Sequence, residues 1–392
     1  MKDYRERDSG GLESTGRMLV HAGLDVHKDT VAVAVAYRPH PSRPLSVEDR
    51  GTVANRPGAL LKLIEGLRQE FGESVHAAYE AGACGFVIWR QLRDLGVSCE
   101  VAAPSLIPKK PGVRVKTDRR DARELARLSA LGSLTPVWVP DAEQEAMRDL
   151  VRLRADLKGS IQKQRQQLNH FVLRHGHQWS RTKWTRAHRS WLRDRKFSHP
   201  AQQIALASAL DTVEQQEQRL SELERDIGAQ CELWTLHPLV ESLRALRGID
   251  TLTAVTVAAE IGDLRRFRSA GQFMAYLGLT PSEFSSGSRR RTGAITRTGN
   301  GAVRRILTES AWTYRHPPRR TRHLQRKAQH ASEYAVKRAW VAQKRLCGRY
   351  LALCRKGKSS KTVVTAIARE LAGFIWDIGC HELRRLQVEA ER

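Results

Sequence analysis

Short apolar runs alternate with amphipathic stretches along residues 19–140, and this pattern predicts a sheet with helices packed against it. Residues 19–24 form an apolar run and residues 31–35 alternate valine with alanine, so both predict buried strands. Further strands are predicted over 74–82 and 97–104, and helices over 56–72, 85–96 and 118–132. The predicted fold class of this part is therefore α/β, with the element order β-β-α-β-α-β-α.

Beyond residue 140 the apolar spacing becomes that of long helices. Apolar residues recur at seven- and four-residue steps along two seams, at Leu150, Leu157, Ile161, Leu168 and Val172 and again at Leu206, Leu210, Val213, Leu220, Leu223 and Ile227. The seams predict either an antiparallel helical hairpin or an intermolecular coiled coil. Residues 236–280 are predicted to be helices broken by the turn "RGID", whose backbone amides could hold phosphate. Residues 278–307 are predicted to be an exposed loop that runs into a basic helix.

These changes of pattern divide the chain into four parts: a polar tail at 1–18, an α/β domain at 19–140, a helical hairpin or coiled coil at 141–235, and a mainly helical domain at 236–392. The tail lacks the apolar centre of a signal peptide. No apolar run approaches the roughly 18 residues of a membrane span, so no membrane partner is expected. The six cysteines show no CxxC pair and no zinc spacing, which predicts reduced thiols in a cytoplasmic compartment.

The charge balance indicates a polyanionic partner. Lys and Arg number 67 against 42 Asp and Glu, a formal net charge of +25. The cations are spread along the chain rather than gathered beside one apolar segment, which favours nucleic acid over a membrane surface. Between the two seams, residues 175–200 interleave aromatic and basic side chains, among them Arg181, Lys183, Trp184 and Arg186. Such a mixture suits RNA, whose bases stack on aromatic rings, but the tryptophans would equally serve to pack the tip of the hairpin.

Two acids lie at predicted strand ends. Asp25 ends the first apolar strand, and Glu80 ends the strand predicted at 74–82. Because functional sites of α/β sheets are built at strand ends, these carboxylates are less easily explained as surface decoration. They are the first candidates for a catalytic site.

Two further acids lie among arginines. Asp118 and Asp121 are three residues apart, so they share one face of the predicted helix. If that helix crosses the ends of the strands, four carboxylates converge and repel one another. Two divalent cations would relieve the repulsion and serve phosphoryl transfer, with Arg119 and Arg120 as phosphate contacts. The alternative is that the aspartates only form surface ion pairs with those arginines.

Several motifs resemble one known family. "GLDVHKDT", "YEAGACG" and "KTDRRDARELARL" resemble the RuvC-like domain of DEDD insertion-sequence transposases. "AYLGLTPSEFSSGSRRRTGAITRTGN" resembles the second signature of the same group, the IS110 bridge recombinases and their IS1111 branch. The motifs occur in order and cover the two functional ends of the chain, whereas residues 175–235 are diverged.

The resemblance implies more than the residues do by themselves. It implies an RNase H-like fold in which Asp25, Glu80, Asp118 and Asp121 bind Mg²⁺, with Mn²⁺ as a substitute. It also implies a serine-bearing second domain and a coiled coil used for assembly into a dimer or tetramer. The implied partners are the DNA of the element ends and target and a structured non-coding bridge RNA, in the nucleoid region of a bacterial cytoplasm.

The resemblance also selects one nucleophile from several serines. The segment "PSEFSSGSRRR" contains four, and the family places the nucleophile at Ser286. Locally, Gly287 permits close approach of the backbone to DNA, whereas the alternative is that these serines merely turn a loop. Expected phosphate contacts here are the arginines Arg289, Arg290, Arg291, Arg297, Arg304 and Arg305.

Three functions are therefore compatible with the sequence. The first is a DNA transposase that cuts and rejoins DNA through a covalent serine–DNA intermediate. The second is a RuvC-like two-metal junction nuclease that uses water and makes Ser286 dispensable. The third is a non-catalytic nucleic-acid-binding protein, against which the complete set of acids argues. A covalent protein–DNA adduct distinguishes the first from the second.

Overall fold

The structure is a computed structural model that describes residues 19–40, 42–72, 74–108, 117–286 and 289–392. The chain separates into two compact units, Met1–Val139 and Pro140–Arg392. The first unit is a mixed α/β structure around a five-stranded sheet, and the second is mostly helical, so the coarse fold class predicted from the sequence is confirmed. Every helix in the described ranges is too short or too polar to cross a lipid bilayer.

The sheet of the first unit has the strand order β3-β2-β1-β4-β5. Strand β2 runs antiparallel to both of its neighbours, β1 and β3, whereas β4 and β5 run parallel to β1. The strands are β1 Val20–Val26, β2 Thr30–Tyr37, β3 Ser46–Ala54, β4 Val75–Glu80 and β5 Ser98–Ala102. The helices are α1 Pro57–Phe71, α2 Val87–Asp94 and α3 Asp118–Ala130.

Strand β3 is absent from the predicted element order, which was wrong at this point. Its sequence "SVEDRGTVA" has no apolar alternation, because the strand lies at the sheet edge and none of its residues is fully buried. Arg50 on this strand pairs with Glu48 and Glu70 at 3.0 and 2.7 Å. The edge is thus covered by charged side chains, which hides it from a search for apolar periodicity.

The two faces of the sheet differ in side-chain size. Large apolar residues of β1 and β2 pack against α1 and α2 on one face. On the other face, Ala32, Ala34 and Ala36 of β2 pack against Ala122 and Ala126 of α3. Small residues on both sides let the backbone of α3 approach the sheet closely. This close approach fixes where the first turn of α3 lies.

Gly23 marks the closest contact, so Gly23→Ala is expected to displace α3. A β-carbon at this position would lie 2.2 Å from the carbonyl oxygen of Ala122 and 2.3 Å from the amide nitrogen of Ala126. Neither backbone atom can move alone, so we expect a loss of about 1–3 kcal/mol in the free energy of unfolding. Thermal unfolding measures it. Gly66→Ala is the control, because that glycine is exposed on α1 with open space around it, and alanine there should stabilise by about 0.5–1 kcal/mol. Equal unfolding temperatures for the two variants would contradict this packing.

The second unit begins with a long helical hairpin. Helix α4 spans Ala142–Arg174 and α6 spans Pro200–Leu233, with the short α5, Arg186–Arg193, between them. Ion pairs from Arg154 to Glu224 at 2.6 Å and from Arg165 to Glu217 at 2.5 Å show that the long helices run antiparallel. The two long helices thus form an antiparallel hairpin within one chain.

The aromatic residues of the insert pack on the end of that hairpin. Trp184, Trp191 and Phe197 are half-buried against a cluster that contains Leu168 and Leu192. The guanidinium groups of two arginines lie about 5.0 and 5.6 Å from the centre of the Trp184 ring, those of Arg165 and Arg189. Packing therefore accounts for these rings within the chain.

The remaining helices surround one apolar core. They are α7 His237–Arg244, α8 Thr251–Ile261, α9 Ala270–Tyr276, α10 Gly301–Ala311, α11 Arg322–Lys327, α12 Glu333–Arg355 and α13 Ser360–Ala390. Residues 278–307 are predicted to begin as an exposed loop. The structure instead has a two-stranded hairpin there, β6 Pro281–Ser286 and β7 Arg289–Ile295. The prediction was wrong because most described side chains of both strands are exposed, so no apolar alternation marks them.

Candidate active site

The acids of the first unit lie at one end of β1 and β4. These two parallel strands pair in register up to Leu24 and Tyr79. Asp25 and Glu80 each follow as the next residue, so they occupy neighbouring positions on the sheet face opposite Leu24 and Tyr79. Strand pairing therefore brings the two acidic residues to the same end of the sheet.

Helix α3 brings the other two acids to the same end of the sheet. It begins at Asp118, directly after Thr117, whose hydroxyl accepts a hydrogen bond from the backbone amide of Arg120 at 3.4 Å. Asp118 and Asp121 lie in the first turn, where the positive end of the helix dipole stabilises negative charge. The close packing around Gly23 holds this turn over the end of β1.

A histidine links the strand end to the helix. Nε2 of His27 lies 3.3 Å from Oδ2 of Asp25 and 3.4 Å from Oδ1 of Asp118. One ligand atom from each of these three residues lies within 4.8 Å of the others. We call Asp25, His27, Asp118 and Asp121 the acid cluster, since Asp121 also acts electrostatically on Asp25.

The carboxylates of the acid cluster repel one another. Burial raises the pKa of Asp25 above its ordinary value, His27 lowers it, and the charges of Asp121 and Asp118 raise it further. The Asp25 side chain is only 18% exposed, whereas Asp118 is 64% exposed. A cation at the open side of the cluster would offset the repulsion, and carboxylate oxygens are the donors that hard divalent cations prefer.

The structure brings the four predicted acids together to different degrees. Asp25 and Asp118 share the histidine, and Asp121 interacts with Asp25 through its charge. Glu80 is exposed at the end of β4 and lies outside the three-residue group within the described part of the chain. Sequence reasoning missed His27. It lies in the polar turn directly after β1, where no periodicity singles it out.

The arginines beside the acid cluster are exposed. Nε of Arg119 lies 3.1 Å from Oδ2 of Asp49 on β3, so its charge is partly engaged within the unit. Arg120 also faces solvent at the first turn of α3. Both lie on the helix whose first turn supplies two acids, so a phosphate at the cluster would lie among positive charges.

The second candidate site is the end of the β6–β7 hairpin. Ser286 is the last residue of β6 and pairs with Arg289 of β7. The side chains of Ser285, Ser286, Arg289 and Arg290 lie outside the described residues, as do the whole of Gly287 and Ser288. What the structure describes is therefore the backbone of the hairpin and its base.

The base of this hairpin is tightly fixed by two glycines and an arginine. A β-carbon on Gly299 would lie 1.8 Å from the carbonyl oxygen of Tyr276, and one on Gly278 would lie 2.4 Å from that of Thr298. Nη1 of Arg304 donates at 2.8 Å to the carbonyls of both Leu277 and Thr298. Arg304, predicted to contact phosphate, thus links the segment before β6 to the segment after β7.

A buried carboxylate anchors the helix that follows the hairpin. Asn300 caps α10 and donates to Oε2 of Glu260 at 2.9 Å, while Arg152 of α4 pairs with the same carboxylate at 2.8 Å. Burial alone would raise the pKa of Glu260, but hydrogen bonds from Arg152 and Asn300 lower it below its ordinary value. The base of the β6–β7 hairpin is therefore held in place by buried polar contacts.

The other basic residues singled out from the sequence face solvent. Arg181, Lys183 and Arg186 are exposed at the end of the helical hairpin. Arg291, Arg297 and Arg305 are exposed on β7, after it and on α10. They are accessible to a large anion.

A carboxylate cluster at the end of a mixed sheet, in a chain with a basic helical unit, is typical of metal-dependent enzymes that act on nucleic acids. Comparison with known families agrees. The model of the transposase IS116/IS110/IS902 family matches residues 240–325, and a DEDD transposase model of the IS110 group matches residues 22–176.

Individual relatives agree as well. The chain is 44% identical over 371 residues to "Putative transposase y4qE" of Sinorhizobium fredii, which covers 94% of this chain and 91% of the relative. It is 32% identical to the transposase for insertion sequence element IS1533 of Leptospira borgpetersenii, over 76% of this chain and 86% of the relative. A probable family 20 transposase of Pseudomonas aeruginosa is 31% identical over 58% of this chain and 68% of the relative. The chain belongs to the IS110/IS116 family of insertion-sequence transposases.

Proposed function

We propose that this transposase cuts and rejoins the DNA of its own insertion sequence, with divalent cations at the acid cluster and with Ser286 as the nucleophile. The observation that carries the proposal is the convergence of Asp25, His27 and Asp118 within 4.8 Å, with Asp121 adding negative charge. Carboxylates gathered in a strongly basic chain have a ready explanation if they hold cations that contact phosphate.

The topology of the first unit supports an RNase H-like, RuvC-like assignment. Its sheet places β1 in the centre, with the antiparallel pairs β1–β2 and β2–β3 on one side and the parallel pairs β1–β4 and β4–β5 on the other. The acids lie at the end of the central strand, at the end of its parallel neighbour and on the helix that crosses them. Catalytic groups on regular elements of this kind are held more rigidly than groups on loops.

The acid cluster fits a hard divalent cation, and Mg²⁺ is the one we propose. Asp25, Asp118 and Asp121 would hold it, with Glu80 as the further carboxylate from β4. When bound, such ions stabilise the charge on the attacking and leaving oxygens of a phosphodiester. The raised pKa of Asp25 supports this assignment, because its burial and its acidic neighbours leave negative charge to be balanced.

The serine supplies the covalent step in this proposal. Oγ of Ser286 forms a bond to the scissile phosphorus and loses its proton, while the bond from phosphorus to one deoxyribose oxygen breaks and that oxygen takes up a proton. Attack by a new deoxyribose hydroxyl reverses these changes and rejoins the DNA. Arg291 and its neighbouring arginines on β7 would stabilise the charge on the phosphate.

The RNA guide and the oligomer belong to the same proposal. The exposed cations Arg181, Lys183 and Arg186 at the hairpin end support contact with a structured bridge RNA. A dimer or tetramer built on the α4–α6 hairpin, as a coiled coil, is supported by Leu153 and Leu173, which are 55% and 53% exposed on α4. We place the protein in the bacterial cytoplasm at the nucleoid.

Metal binding at the acid cluster can be measured without DNA, through Asp25→Asn. Without metal this variant should unfold about 2–4 °C above the wild type, because it removes a buried charge that its neighbours repel. With Mn²⁺ at about 100 times its Kd the wild type should gain about 2.7 kcal/mol, and the variant little. Asp29→Asn is the control, since that aspartate is exposed in the turn after β1. An equal Mn²⁺ gain in all three proteins would refute a cation site at Asp25.

A further inference from the structure

A cavity of about 720 Å³ lies in the second unit, away from the β6–β7 hairpin in sequence. It is enclosed by the turn between α7 and α8, by the 3₁₀ segment Trp312–Arg315 after α10, and by α11. Its wall includes Trp312, His323 and the cations Arg247, Arg315, Arg319 and Lys327.

The walls of this cavity are braced to one another. Gly248 has a φ of +83°, and a β-carbon there would lie 2.6 Å from the carbonyl oxygen of Ser310, so the turn sits directly on the end of α10. Nη1 of Arg247 donates to the carbonyls of His316 and Pro317 at 3.3 and 3.0 Å. Nζ of Lys327 donates to the carbonyl of Ile249 at 2.5 Å. Backbone contacts and hydrogen bonds therefore hold the three segments around the cavity in fixed positions.

The charge of the lining favours an anion. Asp250 is the one acid among the lining residues, and its carboxylate is engaged in capping α8 through the amide of Thr253 at 2.7 Å. Arg315 and Arg319 are exposed at the cavity, and neither forms an ion pair within the described part of the chain. Burial lowers the pKa of Lys327 to about 8, which still leaves the side chain mostly charged at neutral pH. Cations without acidic partners at a concave site are typical of phosphate recognition.

The size of the cavity favours a ligand larger than phosphate. Sites for small molecules and cofactors commonly enclose about 300–1,000 Å³, which includes the volume of a nucleotide. Trp312 is half-buried in the wall, and His323 lines the cavity from α11, one helical turn before Lys327. An aromatic wall with cations around it suits an unpaired base whose flanking phosphates stay outside.

We infer that this cavity binds an unpaired nucleotide of a single-stranded nucleic acid, with its flanking phosphates on Arg315 and Arg319. The inference goes beyond the proposed cutting chemistry, from which it takes only that the chain handles nucleic acid. It uses no residue of the acid cluster and needs no metal. Single-stranded DNA and RNA share the phosphate and the base that the cavity would recognise, so both are probed.

The test compares the full-length protein with its double variant Arg315→Ala/Arg319→Ala, by fluorescence anisotropy in EDTA. The probes are fluorescein-labelled oligo-dT, oligo-U and a DNA duplex of the same length. The variant should bind at least one single strand about tenfold more weakly, with a salt slope lower by about 1.4 for two lost phosphate contacts. Duplex affinity should change less than twofold. Loss for oligo-dT alone or for oligo-U alone shows whether the DNA or the RNA probe occupies the cavity, and either outcome supports the site.

A matched control removes the same charge elsewhere. Arg355→Ala/Lys358→Ala changes two exposed cations, the last residue of α12 and one three residues beyond it, both outside the cavity. Both double variants should keep the unfolding temperature of the wild type, because all four side chains are exposed. Single-strand affinity unchanged in the cavity variant would overturn the inference. So would an equal loss in the control or an equal loss for the duplex, each of which indicates a general charge effect.

Discussion

Asp118→Asn should reduce DNA strand transfer by about three orders of magnitude or more, while the protein still folds and binds DNA. The carboxylate lies 3.4 Å from His27 and shares the acid cluster with Asp25, so its loss removes both a cation ligand and a negative charge. Lewis-acid stabilisation of a phosphoryl transition state contributes several kcal/mol, and each 1.36 kcal/mol corresponds to about a tenfold change in rate. Because Asp118 is exposed, its replacement leaves no buried cavity. A supercoiled donor and target assay with the cognate RNA measures the effect.

The other acids and a control make this result specific. Asp25→Asn, Asp121→Asn and Glu80→Gln should each lose strand transfer, and Glu80→Gln is the most demanding case because that residue is exposed at its strand end. Asp29→Asn, which removes an exposed charge from the turn beside the cluster, should keep wild-type activity. Wild-type strand transfer in the presence of a chelator, or full activity of Asp118→Asn, would refute the metal-dependent acid cluster.

Ser286→Ala should bind DNA and RNA with wild-type affinity and form no covalent adduct with DNA. A serine hydroxyl is a weak nucleophile and reacts only where its phosphate is strongly polarised, so the neighbouring serines of the segment are not expected to replace Ser286. Denaturing gels with end-labelled DNA measure the adduct. Ser285→Ala is the matched control, since it is the preceding residue of the same strand, paired with Arg290. It should keep at least part of its activity.

The result for the serine separates two enzymes. If Ser286→Ala loses the adduct and strand transfer together, the covalent pathway holds. If the variant cuts DNA at the wild-type rate, hydrolysis at the acid cluster by water accounts for cleavage, and the protein acts as a RuvC-like nuclease with a dispensable serine.

The strands of the sheet interior could be predicted from sequence, and the exposed ones could not. Strands β1, β2 and β4 are buried on both faces, and their valines and alanines form runs that a search for apolar residues finds. Strand β3 and the β6–β7 hairpin lack such runs because one lies at the sheet edge and most described side chains of the other are exposed. Their pairing depends on neighbours that no local pattern reveals.

The candidate site was predictable as a meeting of strand ends with a helix, but its details were not. Asp25 and Asp118 converge because Gly23 and a row of alanines let α3 approach the sheet, and this depends on tertiary packing. His27 was missed because a histidine in a polar turn has no distinctive local signature. The tryptophans of residues 175–200 pack on the hairpin end, a role that spacing alone could not separate from stacking on bases.

Mass-spectrometric mapping of the protein–DNA adduct tests the central proposal most directly. Wild-type protein with its co-purified RNA is incubated with donor DNA, with Mg²⁺ in one sample and EDTA in the other, and is then denatured and digested. The proposal predicts one nucleotide-bearing peptide, modified at Ser286 and formed only with Mg²⁺. An adduct on any other residue, an adduct of equal yield in EDTA, or DNA cleaved with no adduct would contradict it.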